Sequence, residues 1–181
     1  MTPDQAKFLF EFLLPQLESE QIVTRKILSS VPPEKGGYRP DPKSRTAFEL
    51  ARHIAVVEIW FLDAIIDRRF GEVPALPDPV VTAQHVAQWY LENFTRRLAI
   101  LKGLSNRDLA TPVDFIGLRK DPAAAYLNIA IRHSVHHRGQ LSTYLRPMGA
   151  IVPAIYVESA DEPFPGNVGH DLSSTPRPPA F

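Results

Sequence analysis

Apolar residues along most of the chain recur at three- and four-residue steps, the spacing that lines one face of a helix. Two such stripes are Leu50, His53, Val57, Phe61, Ala64 and Tyr126, Ala130, His133, His137, Leu141, Tyr144. Proline follows the same division. The chain holds 18 prolines, and none falls in 16–31, 43–73, 80–111 or 123–146. Each of these stretches is long enough for several helical turns.

Terminal signals give the expected limits. A first helix is predicted from about Pro3 to Ser30, kinked or broken at Pro15, where a ladder hydrogen bond is lost. A second starts near Thr46, which has capping-box spacing to Glu49, and runs to about Phe70 with Gly71 as left-handed cap. A third spans about Thr82 to Gly103. A fourth takes Asp121 as N-cap, Pro122 as first residue and Gly149 as its C′ residue.

The connectors are turn-rich. Residues 32–45 form a long polar loop, 72–81 carry three prolines, and 111–120 fit an irregular loop or a short hairpin. The expected fold is all-α: one four-helix bundle domain over 1–181. From Ala150 to Phe181 six prolines rule out a regular fifth helix. Its apolar part, IVPAIYVE, is expected to pack back on the bundle, and its end, SSTPRPPAF, to be extended and polyproline-like.

Composition narrows the function classes. Twenty Lys+Arg balance twenty Asp+Glu. A neutral chain lacks the positive excess of a general nucleic-acid binder or of a protein docking on anionic membranes. No apolar run reaches the length of a membrane span, and the N-terminus lacks the basic region of a signal peptide, so a cytoplasmic location is expected. The absence of cysteine excludes disulfides, thiolate-bound metals and a cysteine nucleophile.

Chemistry then rests on six histidines. His85 and His170 read as surface residues. His133 and His137 are four apart, so their side chains share one helix face and can converge on one ion. Their stripe is otherwise apolar or aromatic, as is the stripe of His53 on the second helix. A single inward histidine is most simply one bonded to a backbone carbonyl or water. Three on two helices of one bundle are better explained by a shared metal. Ser134 follows His133 where zincin proteases have glutamate, which excludes that class. His136 lies about a hundred degrees round the helix from His137 and is expected as a rim residue, a proton carrier or simply exposed. Glu58 could orient or ligate from the second helix, but a solvated salt bridge is the expectation, and for Arg138 a surface or interface one. His136 and Arg138 are the weak candidates for a catalytic part, Arg138 as an anchor for an anionic group. Gly139 suggests close approach of another backbone.

The segment HSVHHRGQL from His133, the histidine within ARHIAVVEIW, and the proline-rich connectors resemble the DinB family of the wider DinB/YfiT-like metalloenzyme superfamily. The stretch VPAIYVESADEPF resembles the family's common ending, with Val157 where the family has glycine after tyrosine. The resemblance covers nearly the whole chain. It implies a four-helix bundle with a long crossover, usually dimeric, and a divalent metal, commonly zinc or nickel, on His53, His133 and His137. Characterised relatives include thiol-dependent isomerases and S-transferases that use a low-molecular-weight thiol.

Three protein nitrogens leave a coordination position open, the mark of a catalytic rather than a structural site. Such a position lowers the pKa of a water to around 7 or strips a thiol of its proton. With no cysteine in the chain, that thiol must be a small molecule. Two classes stay open: a metal-dependent enzyme, either thiol S-transferase or hydrolase, and a non-catalytic helical homodimer whose metal is structural or absent. Ligand histidines must be neutral, so metal binding is expected to weaken as pH falls through roughly 6.5.

Overall fold

The computed structural model describes residues 1–163. It is mostly helical, with four long helices: α1 (Pro3–Ser29), α2 (Ala47–Asp67), α3 (Ala83–Leu101) and, after a short α4 (Asn106–Ala110), α5 (Ala125–Leu145). A two-stranded antiparallel hairpin, β1 (Pro112–Phe115) and β2 (Arg119–Pro122), precedes α5. α1 packs on α3 and α5, and α2 packs on the same two helices. The first two helices are therefore diagonal, which is why the connector between them is long. No helix of the described residues is long and apolar enough to cross a membrane.

Local chemistry explains most boundaries. α1 opens on a capping box: Thr2 Oγ1 accepts from the Gln5 amide at 3.2 Å, and Gln5 Oε1 accepts from the Thr2 amide at 2.9 Å. The helix continues through Pro15 without the expected break. Phe10, Leu13 and Leu17, on either side of the proline, are buried, and that packing offsets the lost ladder bond. Thr46 and Glu49 form the predicted box on α2. That helix ends earlier than expected, because Arg68 rather than Gly71 turns left-handed, at φ 57°. Gly71 instead offers its carbonyl to Trp60 Nε1 at 2.8 Å. Thr82 Oγ1 caps α3 through the His85 amide.

The start of α5 differs most from expectation. Asp121 and Pro122 lie in β2, paired with Val113 and Pro112. The amides of Ala123 and Ala124 donate to the carbonyls of Thr111 and Leu109. The chain's donors are thus met by its own loop, and no side-chain cap is needed. Gly149 is left-handed, at φ 73°, but α5 ends at Leu145 with Arg146 as its C-cap, so the glycine stands two residues beyond the C′ position expected for it.

Among residues 150–163 there is no helix, and the apolar part packs back as expected. Pro153 is buried, Val152 and Ile155 pack on the core, and Tyr156 reaches Glu20 on α1 at 2.9 Å. Val157, in the place of a family glycine, is not among the residues with positive φ. The polyproline-like end lies outside the described residues, as does His170.

Candidate metal centre

His53 comes from α2, and His133 and His137 from successive turns of α5, where the two helices face each other. All three rings are half-buried. His53 Nε2 lies 3.2 Å from His137 Nε2 and 3.1 Å from His133 Nε2. A hydrogen bond accounts for one such approach, because a ring nitrogen has either one proton or one lone pair to share. It does not account for two at the same atom. Two nitrogens bound tetrahedrally at about 2.05 Å to one ion would stand about 3.3 Å apart, close to both spacings. The three rings form a group able to hold a metal ion.

Neighbours prepare this geometry. His137 Nδ1 lies 3.1 Å from Gln140 Oε1, one turn along α5. The amide oxygen can only accept, so Nδ1 carries the proton and Nε2 keeps its lone pair, the tautomer a metal requires. The Phe61 ring stands 6.2 Å from that of His133, within an aromatic group that includes Phe70, Phe115 and Tyr126. Phe115 of the hairpin packs on Phe61, and Tyr126 anchors the hairpin by donating to the Val113 carbonyl at 2.9 Å. Burial is the main cause of low histidine basicity: it pushes His53 down to about 4 and His133 to about 3, and lowers His137. His53 and His133 are thus neutral, as ligands must be, at pH values well under 6.5, and burial shifts His137 in the same direction.

Two charged residues sit elsewhere than the sequence suggested. Glu58 is 1% exposed and forms no solvated salt bridge. Its carboxyl accepts from Tyr90 at 2.7 Å and from Ser134, and burial pushes its pKa up to about 7. Arg138 is also 1% exposed. It pairs with Glu20 and donates to Thr24 Oγ1 at 3.1 Å and to Tyr156 at 2.6 Å. It therefore ties α5 to α1 and to the tail. Together these groups form a buried polar layer that touches all four long helices.

Of the remaining candidates, His136 and His85 are exposed. His136 stacks edge-on against His137 at 4.8 Å but is outside the three-ring group. At Gly139 a Cβ would meet nothing within 4 Å, so no backbone makes the close approach expected there. Sequence reasoning does not single out Gln140 as a ring-orienting residue, although its spacing of three from His137 is a readable signal.

A cavity of about 460 Å³ adjoins the centre, with His53 in its wall. Val56, Val57 and Val73 supply apolar lining, and Arg39, Lys43, Arg45 and Arg52 surround them. The centre is not sealed within the core.

Fold and site together define a helical bundle with three convergent imidazoles on facing helices. The profile of the DinB superfamily matches residues 16–141, and the chain belongs to that superfamily. It is 30% identical over 154 residues to Bacillus subtilis YrdA, covering 84% of this chain and 90% of YrdA. A solved DinB-like protein from Bacillus cereus ATCC 10987 matches with a TM-score of 0.69 at 29% identity, over 81% of this chain and 97% of that one. The fold is also shared by a variant of a mycothiol-dependent maleylpyruvate isomerase, with a TM-score of 0.55 and 15% identity over 79% of this chain and 62% of that one.

Proposed function

We propose that the protein is a divalent-metal-dependent enzyme that acts on a small molecule with a low-molecular-weight thiol as cosubstrate, a thiol S-transferase in the broad sense. The observation that carries this reading is the double approach at His53 Nε2, beside a cavity with His53 in its wall. His53, His133 and His137 hold the ion; imidazole donors suit zinc, nickel and iron alike, and zinc or nickel is what the family resemblance implies. When bound, the metal acts as a Lewis acid and lowers the pKa of a thiol at its free position.

The chain's own residues do the rest. Gln140 keeps the His137 proton on Nδ1. The Phe61 and Tyr126 side of the site excludes water from His133. The cavity beside His53 admits the second reactant. No cysteine is present to serve as nucleophile. The thiol-dependent activity in the name of the maleylpyruvate isomerase, a protein of the same fold, supports the same direction. A two-fold homodimer belongs to this reading, with Phe8 and Phe12, one turn apart on α1 and 73% and 63% exposed, as apolar surface to cover.

The test is to incubate metal-loaded protein with an electrophile, with and without a panel of small thiols. Turnover that needs both thiol and His133 supports transfer. Turnover without thiol assigns the protein to the metal-dependent hydrolases, and none across a broad panel assigns it to non-catalytic bundles.

A further inference from the structure

We infer that the cavity beside His53 is an anion-recognition site, built to take a small organic molecule bearing a carboxylate, with Arg45 and Arg52 as its principal cations. This deepens the proposed function and rests on it for the identity of the neighbouring centre. Four cations, Arg39, Lys43, Arg45 and Arg52, line one cavity of a chain whose net charge is zero. The single carboxylate in that wall, Glu49, is bound to the Thr46 amide at 2.8 Å and stays charged near Arg39 and Arg45, which leaves the cavity with an excess of three cations. Asp41, in the same connector, is turned onto the Lys43 amide. Arg45 and Arg52 make no hydrogen bond or salt bridge among the described residues, unlike Arg97, Arg138 and Arg146, which are each paired with a carboxylate.

The arginines adjoin the metal centre: Arg45 and Arg52 line the same cavity wall as His53. A dication held there adds to the positive potential, and an anion in the cavity relieves it. Guanidinium groups match a carboxylate through paired N–H donors. Val56, Val57 and Val73 give such a ligand an apolar wall. Arg138, the sequence candidate for this task, is committed to Glu20 and Tyr156.

The test compares two small thiols on the metal-loaded protein by calorimetry: mercaptosuccinate, with two carboxylates, and neutral 1-thioglycerol. Mercaptosuccinate is expected to bind about tenfold more tightly at low ionic strength, in keeping with charge-assisted hydrogen bonds at a partly open site. The preference should vanish in Arg45→Ala/Arg52→Ala and shrink in about 0.5 M NaCl, where charges act only over short distances. Metal content and thermal midpoint should stay as in the wild type. Equal affinities in the wild type, or a preference that survives the double substitution, would overturn the inference. If the protein holds no metal, succinate binding to the metal-free chain decides. Binding that requires Arg45 and Arg52 keeps the anion site while the metal reading fails, and no binding removes both.

Discussion

Tyr90 on α3 donates its phenolic hydrogen to Glu58 on α2 over 2.7 Å, with both side chains closed off from solvent. The carboxyl also accepts from Ser134 on α5, yet burial outweighs both bonds and pushes its pKa up to about 7. A carboxyl whose folded pKa is raised binds its proton more readily in the native state. Its stabilising effect is full below the unfolded value near 4.5 and is lost as pH rises through about 7. The half-buried histidines slope the other way, because their lowered pKa values favour the native state as pH rises. Subtracting Glu58→Gln from the wild type isolates the carboxyl. The stability difference should move in favour of the variant by on the order of 2–3 kcal/mol between pH 4.5 and 8, since each tenfold change in proton affinity is worth about 1.4 kcal/mol. Urea titrations of metal-free protein at several pH values measure it, and a flat difference would contradict a buried, uncharged Glu58.

In the proposed metal centre the histidines would set the pH range of loading. The sequence alone predicts binding that weakens through roughly pH 6.5. Burial instead holds His53 at about 4 and His133 at about 3. Protons therefore compete less, and half-loading should occur below pH 6. Equilibrium dialysis with metal analysis from pH 7 to 4 gives the midpoint. Alanine at His53, His133 or His137 should each remove most of the metal, and alanine at exposed His85 should not.

Gln140 holds His137 without being a ligand itself. Gln140→Leu removes the acceptor at Nδ1 while keeping similar volume. Metal affinity should fall by about 10–100-fold, the usual loss when a ligand's orienting partner is removed. Because Gln140 is only half-buried, the stability of the metal-free protein should scarcely change. Chelator competition reads the first effect and thermal melting the second. Unchanged affinity would mean that another group fixes the tautomer.

Arg138 lies deep and is paired. Arg138→Ala leaves the Glu20 carboxylate facing the core side of α1 and should cost about 3–5 kcal/mol, as for other broken buried pairs. Replacing both partners by apolar residues, Arg138→Met with Glu20→Leu, should cost much less. Denaturant unfolding of the three proteins separates the broken pair from the pair's net worth.

The hairpin tip carries a mismatch between residue and backbone. Ile116 sits at φ 47° and is 62% exposed, followed by Gly117 at φ 77°. A β-branched residue is poorly suited to left-handed backbone, where Asn and Gly are at ease. Ile116→Asn should stabilise the protein by about 0.5–1 kcal/mol, read as a higher thermal midpoint.

The helices and the three-ring group are legible in sequence because their signals are local. The spacing from His133 to His137 fixes a shared face wherever a helix forms, and Thr46 with Glu49 marks a start. What the sequence hides depends on partners far along the chain. Glu58 reads as solvated because nothing near it announces Tyr90, 32 residues away. Arg138 finds Glu20 at a distance of 118 residues. Asp121 and Pro122 carry good helix-start chemistry, but strand pairing with Pro112 and Val113 claims them first. The short helix at 106–110, absent from the sequence expectation, does carry a readable sign in the Ser105 and Asp108 box.

The centre joins His53 to residues 80 and 84 positions further on. During synthesis, the first half of the chain emerges with a single ligand and cannot assemble the group. The pair on α5 arrives together, late, and completes it only by docking against α2. Metal uptake by this group would therefore be an event of the finished bundle, and a fragment ending before α5 should be indifferent to metal supply.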